Sequence, residues 1–437
     1  MYALGLLVLL VGVMASIALH ELGHLVPAKR FGVRVSRYMV GFGPTLWSRT
    51  RGETEYGIKA IPLGGYVRMV GMLPGPEVVG AEPKAGRTAE LIQSAREASA
   101  EEILPGEEHR AFYRLTTPRK LVVMLGGPVM NLLIAVGLIG VVMVGIGMPA
   151  ATTTVGVIGD CVRPLDEPAD RPCTAADPVA PAVLAGLRPG DRLLTYGGQS
   201  IERWPDFTAA VRGTPGSGIP LVVERDGEQV TLSVTPVLAE RPVYDELLRP
   251  VVGPDGEAVT EMVRHIGLSP RAGLERQAVA AVPGFVGMVL WETTKIIVSL
   301  PVQVYEVGKA IVGVQERDST GVISLVGVGR VAGEITADDT SALGLGWQVS
   351  RMLLLLASLN VALFAFNMIP LLPLDGGHIA GALWEGAKRQ VARVRNRPRP
   401  APADMARMMP LAYGVFVVLI VVGLVLIVAD VVAPIVI

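Results

Sequence analysis

Cysteine and histidine are scarce in this 437-residue chain, two of the first and five of the second, and charge is thin as well. Charged residues make up 18% of it, and acids and bases cancel to a formal net charge of −1. Without an overall basic field no nucleic-acid partner is expected, so the charges must be read by where they fall. What is plentiful is apolar: 51% of residues are hydrophobic and mean hydropathy is +0.48, too high for an ordinary soluble enzyme of this length. Three apolar runs, Tyr2 to Val26, Leu121 to Met148 and Leu411 to Val432, are long enough to span a bilayer, and a fourth, Met352 to Leu374, ends at Asp375. The first lacks a basic leader and a small-residue cleavage site, so it reads as a retained helix and not a signal peptide.

Lys29, Arg30, Arg34 and Arg37 follow the first run, Arg114, Arg119 and Lys120 precede the second, and a basic stretch from Lys388 to Arg399 separates the last two. By the positive-inside rule those loops are cytoplasmic. Both termini and the segment from about 149 to 350 then lie outside the cytoplasmic membrane. The expected fold is a multi-span α-helical membrane protein with four transmembrane helices, over 1–27, 119–148, 351–375 and 409–434. Between them are expected a small membrane-associated sheet over 28–73, a cytoplasmic linker and helix over 74–118, and a basic cytoplasmic loop over 376–408. The outer segment divides into a β-rich part over 149–240 and, over 241–350, an irregular connection followed by a pair of amphipathic helices on the outer membrane surface. Cys161 and Cys173 fall on the outer side, where oxidation is permitted, and are expected to pair; two free thiols are the alternative, since spacing alone does not show that the side chains meet.

The first span contains His20-Glu21-Leu22-Gly23-His24. A helix turns about 100° per residue, so the two histidines share a face one turn apart and both imidazoles can reach one tetrahedral metal. Glu21 beside them suits a general base and not a ligand, the zincin arrangement. The bland alternative, two core histidines and a chance glutamate, has to place Glu and His in an apolar span without function, which is expensive. A catalytic zinc takes three protein ligands. Asp375, at the inner end of the run closed by Asn367-Met368-Ile369-Pro370-Leu371-Leu372-Pro373-Leu374, is one candidate for the third, and His378 competes with it.

Residues 33 to 72 alternate Val, Tyr, Ile and Trp with Gly-containing turns, which is hairpin grammar. This sheet is expected to dip toward the metal from the cytoplasmic side; a plain cytoplasmic hairpin is the alternative. In the second span, Gly126-Gly127-Pro128 and Asn131 fit packing as well as catalysis. From about 155 to 240, the order of strands, a helix near Pro205 and the stretch Ala185-Gly186-Leu187-Arg188-Pro189-Gly190-Asp191 resembles a bacterial PDZ domain. The resemblance implies that Gly186, Leu187, Gly190 and Asp191 lie by a peptide groove; a mere spacer is the alternative.

Taken together, HExxH in the first span, NxxPxxPLDGG in the third, GFGPTLW, GETEYGIKAIPLGGYVRM and GGPVMN resemble the site-2 protease family of intramembrane zinc metalloproteases, peptidase family M50. Within it they are most similar to actinobacterial members of the regulator of sigma-E protease branch, over nearly the whole chain. The resemblance implies Zn2+ on His20, His24 and Asp375, Glu21 as base, Asn367 on the substrate backbone, and pairing of Gly64, Gly65, Tyr66, Val67, Arg68 and Met69 with an unwound substrate. The implied partners are single-span membrane proteins such as anti-sigma factors and remnant signal peptides, in the lipid bilayer. The chain departs from two-PDZ members in showing one such unit. Two other readings stand beside it: an intramembrane zinc transporter, which would want several relayed sites, and a noncatalytic PDZ receptor, which leaves HExxH unexplained.

Overall fold

The computed structural model describes the whole chain except residues 81–85, 164–170, 244–250, 252, 254–258, 316, 318–320, 338–342 and 434–437. It opens with α1 (Tyr2–Arg30), whose 29 residues reach about 43 Å at 1.5 Å per residue, enough to cross a bilayer. Strands β1 (Val35–Arg51) and β2 (Thr54–Met69) follow as an antiparallel pair. Val40 faces both Ile58 and Gly65, and Tyr38 faces both Tyr56 and Val67, so β2 folds back around the first half of β1. The last residues of β2 thereby become an edge with no further strand beyond them among the described residues. Short α2 (Pro76–Val79) and α3 (Arg87–Glu101) lead to α4 (Thr117–Gly140), which a wider π turn extends over Val141–Ile146. α3 is tied down through Arg96, which is buried in an ion pair with Asp404. α1 and α4 cross backbone to backbone at Gly23 and Gly126, where a Cβ on Gly126 would fall 1.9 Å from the Gly23 carbonyl oxygen.

Residues Gly147–Glu275 form a separate compact unit. It comprises β3 (Met148–Ile158), α5 (Pro181–Leu184), β4 (Arg192–Tyr196), β5 (Gln199–Ser200), α6 (Trp204–Gly213), β6 (Ile219–Arg225), β7 (Glu228–Val234), β8 (Val237–Pro242), β9 (Thr260–His265) and β10 (Leu268–Glu275). The antiparallel sheet runs β10-β3-β4-β6-β7, with β5 on β4 and a separate β8–β9 hairpin. Asp226 and Gly227, both at positive φ, make the tight β6–β7 turn. Ile219, Leu221 and Val223 alternate inward onto Tyr196 and the α6 residues Phe207 and Val211. Cys161 and Cys173 are joined by a disulfide. The unit runs past the boundary expected at 240: the stretch read as irregular supplies β9 and β10, and β10 pairs with β3, more than a hundred residues earlier, a partnership no local pattern announces.

The chain then returns to the helical unit with α7 (Val282–Ile311), α8 (Leu325–Ala337), α9 (Gly344–Asn367), α10 (Asp375–Val394) and α11 (Met409–Val432). Leu9 of α1, Val328 and Ala332 of α8, and Met352 and Leu356 of α9 share one core, and Asn360 donates across it to Ser16 Oγ at 2.9 Å. Three expectations are corrected here. The amphipathic pair is one continuous helix of 30 residues; Pro301 lies inside it, and Glu292–Lys295 and Glu306–Lys309 pair along it one turn apart, so the charges do not break it. The third apolar helix stops at Asn367, before the two prolines, and not at 375. The basic loop over 376–408 is helical through Val394, as its Ala, Lys, Gln and Arg favour.

Five helices are long and apolar enough to cross a membrane by length and composition, α7 among them. α7 is approached through Gln277, whose N–H donates to Met143 O at 2.7 Å beyond the end of α4, and near its own end Val307 packs on Leu426 and Ala429 of α11. The opposite end of α4 and the short turn that leads into α11 both abut α10, Thr117 at Gly386 and Met405 at Gly381. α7 therefore starts and finishes at one end of the bundle.

Candidate metal centre

α1 and the first residue of α10 meet at the end of α9. His20 Nε2 and His24 Nε2 lie 3.3 Å apart, and Asp375 Oδ2 is 3.4 Å from the first and 3.3 Å from the second. These are the three side chains that converge closely enough to hold one metal ion among the described residues. Asp375 Oδ2 is buried without a hydrogen bond, a costly state for a carboxylate oxygen unless a cation completes it. His24 Nδ1 lies 2.8 Å from Val123 O; donation to that carbonyl leaves the lone pair on Nε2, facing the cluster. Room is provided by α4: a Cβ on Gly127 would stand 2.2 Å from His24 Nε2 and 2.7 Å from His20 Nε2. Two imidazoles and one carboxylate with an open fourth direction are the donor set of a catalytic zinc, so the residues fit the ion.

The cluster opens on a cavity of about 400 Å³ that Glu21 also lines. Glu21 is 9% exposed and stands outside the three-residue group. The edge of β2 closes on it, since a Cβ on Gly65 would sit 3.0 Å from Glu21 Cγ. Gly64, Tyr66, Val67, Met69 and Asn367, the last residue of α9, line the same cavity. Arg68 does not; it pairs with Glu102. His378 borders the cavity, and it is Asp375 that joins the two histidines. In the other unit, Leu187 is part of the core, Gly186 and Gly190 adopt positive φ, and Asp191 is held by Arg225 at 2.7 Å. Burial pushes the Asp191 carboxyl up, but the Arg225 guanidinium and the Arg188 N–H outweigh it and keep it below the usual carboxylate range. Those four positions shape a turn and a core.

Sequence reasoning left Gly127 and Asn131 between packing and function. Both flank the metal cluster: Asn131 is fully buried, with its amide nitrogen 3.1 Å from His20 Nδ1. Their shared signal was the run Gly126-Gly127-Pro128-Val129-Met130-Asn131 in an otherwise apolar helix.

A pair of histidines on one helix and a carboxylate from another, close enough to share one metal ion, with an adjacent buried glutamate and apolar helices around them, fit a metal-dependent peptidase of membrane type. The chain belongs to peptidase family M50, whose model matches residues 8–409. It is 35% identical over 444 residues to the zinc metalloprotease Rip1 of Mycobacterium bovis, covering 100% of this chain and 99% of that one. It is also similar to the metalloprotease MmpA of Caulobacter vibrioides, at 27% identity with 89% of each chain covered. The zinc metalloprotease RasP of Oceanobacillus iheyensis is 27% identical, with 85% of this chain and 88% of that protein covered.

Proposed function

We propose that this chain, a zinc metalloprotease of the site-2 type, hydrolyses peptide bonds inside the transmembrane segments of single-span proteins, with anti-sigma factors and signal-peptide remnants as substrates. The observation that carries this reading is the position of the His20–His24–Asp375 cluster, set among helices apolar enough to cross a membrane, with Glu21 beside it. The ion supplies Lewis acidity toward the scissile carbonyl when bound, held by His20, His24 and Asp375. Glu21 takes the proton of the attacking water and returns it to the leaving nitrogen, the part its place in the cavity suits. A substrate helix hides its carbonyls in its own hydrogen bonds, so it must unwind first. The free edge of β2, Gly64 to Met69, offers backbone groups to the unwound segment, and Asn367 offers an amide opposite. Helix-breaking residues near the cut are favoured for the same reason.

In this reading four helices span: α1, α4, α9 and α11. α7 lies along the outer face, supported by its contacts with the outer ends of α4 and α11. Both termini and the Gly147–Glu275 unit are then extracytoplasmic, consistent with the disulfide in that unit. That unit is read as a PDZ domain that takes extended segments on a sheet edge.

The test is Glu21→Gln in the full chain reconstituted in proteoliposomes, with zinc content and cleavage of a single-span substrate both measured. Retained zinc with cleavage lost by about 10²–10⁴-fold is expected. Unchanged cleavage would sink the assignment, and zinc flux across the vesicle in place of cleavage would favour a transporter.

A further inference from the structure

Asn131 has the least solvent exposure of any polar side chain near the metal cluster, and it touches a ligand. Its Nδ2 lies 3.1 Å from His20 Nδ1, while its Oδ1 is buried without a partner. An amide orientation is an assignment, because O and N are alike in shape. The orientation can be settled by what His20 must do. If Nδ2 donates to Nδ1, then Nδ1 carries the lone pair, and a neutral imidazole must place its proton on Nε2. That atom faces His24 Nε2 at 3.3 Å and Asp375 Oδ2 at 3.4 Å, where the cluster converges. Turning the amide over reverses this: Oδ1 accepts from Nδ1–H, and Nε2 presents a lone pair.

We propose that Asn131 is the positioning residue of His20, its side-chain oxygen accepting the Nδ1 proton and so fixing the tautomer and ring direction that ligate metal. The inference rests on the reading of His20, His24 and Asp375 as the metal ligands. His24 supports it independently, because its Nδ1 is met by a carbonyl, Val123 O, at 2.8 Å on the same helix. Both imidazoles are thus held from behind by α4, one through a backbone oxygen and one through a side-chain oxygen. An asparagine with no exposure in an apolar helix is costly without such a bond, and this contact supplies it.

The experiment measures zinc affinity by chelator competition on the full chain in detergent, with the visible spectrum of the Co2+-substituted protein, for wild type, Asn131→Leu and Asn131→Asp. Leucine cannot accept, and a 10–100-fold loss of zinc affinity (about the range for ligand-orienting groups) with a changed Co2+ spectrum is expected. An ionised aspartate beside the Nδ1–H accepts with either oxygen and has no proton to donate, so Asn131→Asp is expected to stay within about threefold of wild type and keep its spectrum, a change far below that range. Wild-type affinity in a folded Asn131→Leu, or loss of zinc in a folded Asn131→Asp, overturns the proposal. Should leucine prevent folding, the aspartate arm alone decides, since a donor at Nδ2 predicts loss there. A wild-type chain that binds no zinc would instead overturn the ligand reading itself.

Discussion

α10 carries one buried carboxylate, Glu385, and one partly buried, Asp375, and they are opposites. Glu385, 1% exposed, receives Lys120 Nζ at 2.8 Å, the Ala403 N–H at 2.9 Å and Arg389 Nη2 at 2.5 Å. Asp375, ten residues earlier, meets no lysine, arginine or backbone donor among the described residues; its Oδ2 looks at two imidazole nitrogens. Burial of a charged group is therefore no mark of function by itself. A carboxylate met by a lysine, an arginine and a backbone N–H is a fastening, whereas one that faces only imidazole nitrogens is placed to share a cation with them. The sharpest way to break this contrast is to exchange the losses. Asp375→Ala is expected to abolish zinc binding and bring cleavage to background while the chain remains folded. Glu385→Gln is expected to keep zinc at one per chain. Zinc analysis on both purified proteins checks this, and retained metal in Asp375→Ala ends the comparison.

The second test strains the fastening. Lys120→Met leaves Glu385 buried with Arg389 as its remaining cation, and a cost toward the lower end of about 3–5 kcal/mol is expected. Melting of the detergent-solubilised chain measures it. Replacing all three charges, Lys120→Met and Arg389→Met with Glu385→Met, should recover most of that loss, because the penalty comes from a stranded charge and not from a missing attraction. No recovery would mean that the pair holds the α4–α10 contact by some other route.

Legibility in the sequence followed the range of the interactions. His20, Glu21 and His24 could be read because a helix places residues four apart on one face, and the structure needs nothing else to bring those nitrogens together. Asp375 and His378 could not be separated by position, since both follow the same prolines; only the start of α10 at Asp375 points one of them at α1. The β2 edge was visible as hairpin grammar, but that Gly65 abuts Glu21 depends on how β2 folds back. The continuity of α7 is hidden in the sequence because Pro301 and four charges interrupt its apolar run. β9 and β10 escaped notice because their partners lie far away or beyond undescribed residues. The contribution of α4 was hidden for the same reason: Gly127 and Asn131 matter only once two helices cross at Gly23 and Gly126.

Gly127 offers the third test, because it separates room for an ion from the ligands that hold it. Gly127→Ala adds a methyl 2.2 Å from His24 Nε2, and an apolar helix tolerates alanine well. Zinc affinity is expected to fall about 10–100-fold, the range seen when groups that orient a ligand are lost, with little change in the melting of the metal-free chain. A fall in stability with affinity intact would make Gly127 a packing residue only.

The smallest effect extends the contrast to histidine in the other unit. His265, in β9, is partly buried; burial, with some help from Arg241, lowers its pKa from 6.5 to about 4. The charged form is therefore disfavoured in the folded unit, and the unfolded chain binds the proton first. The resulting contribution is whole above pH 6.5 and is lost as the pH falls from there toward about 4, below which it levels off. Asp191 is depressed below its ordinary 3.8, so its own loss falls mainly at lower pH and meets this window only at its acid end. Melting of the Gly147–Glu275 unit in the full chain, followed from about pH 7 to about pH 4, should decline in wild type and run flatter in His265→Gln. An equal slope in both would assign the acid sensitivity to some other group, leaving His20 and His24 without this counterpart.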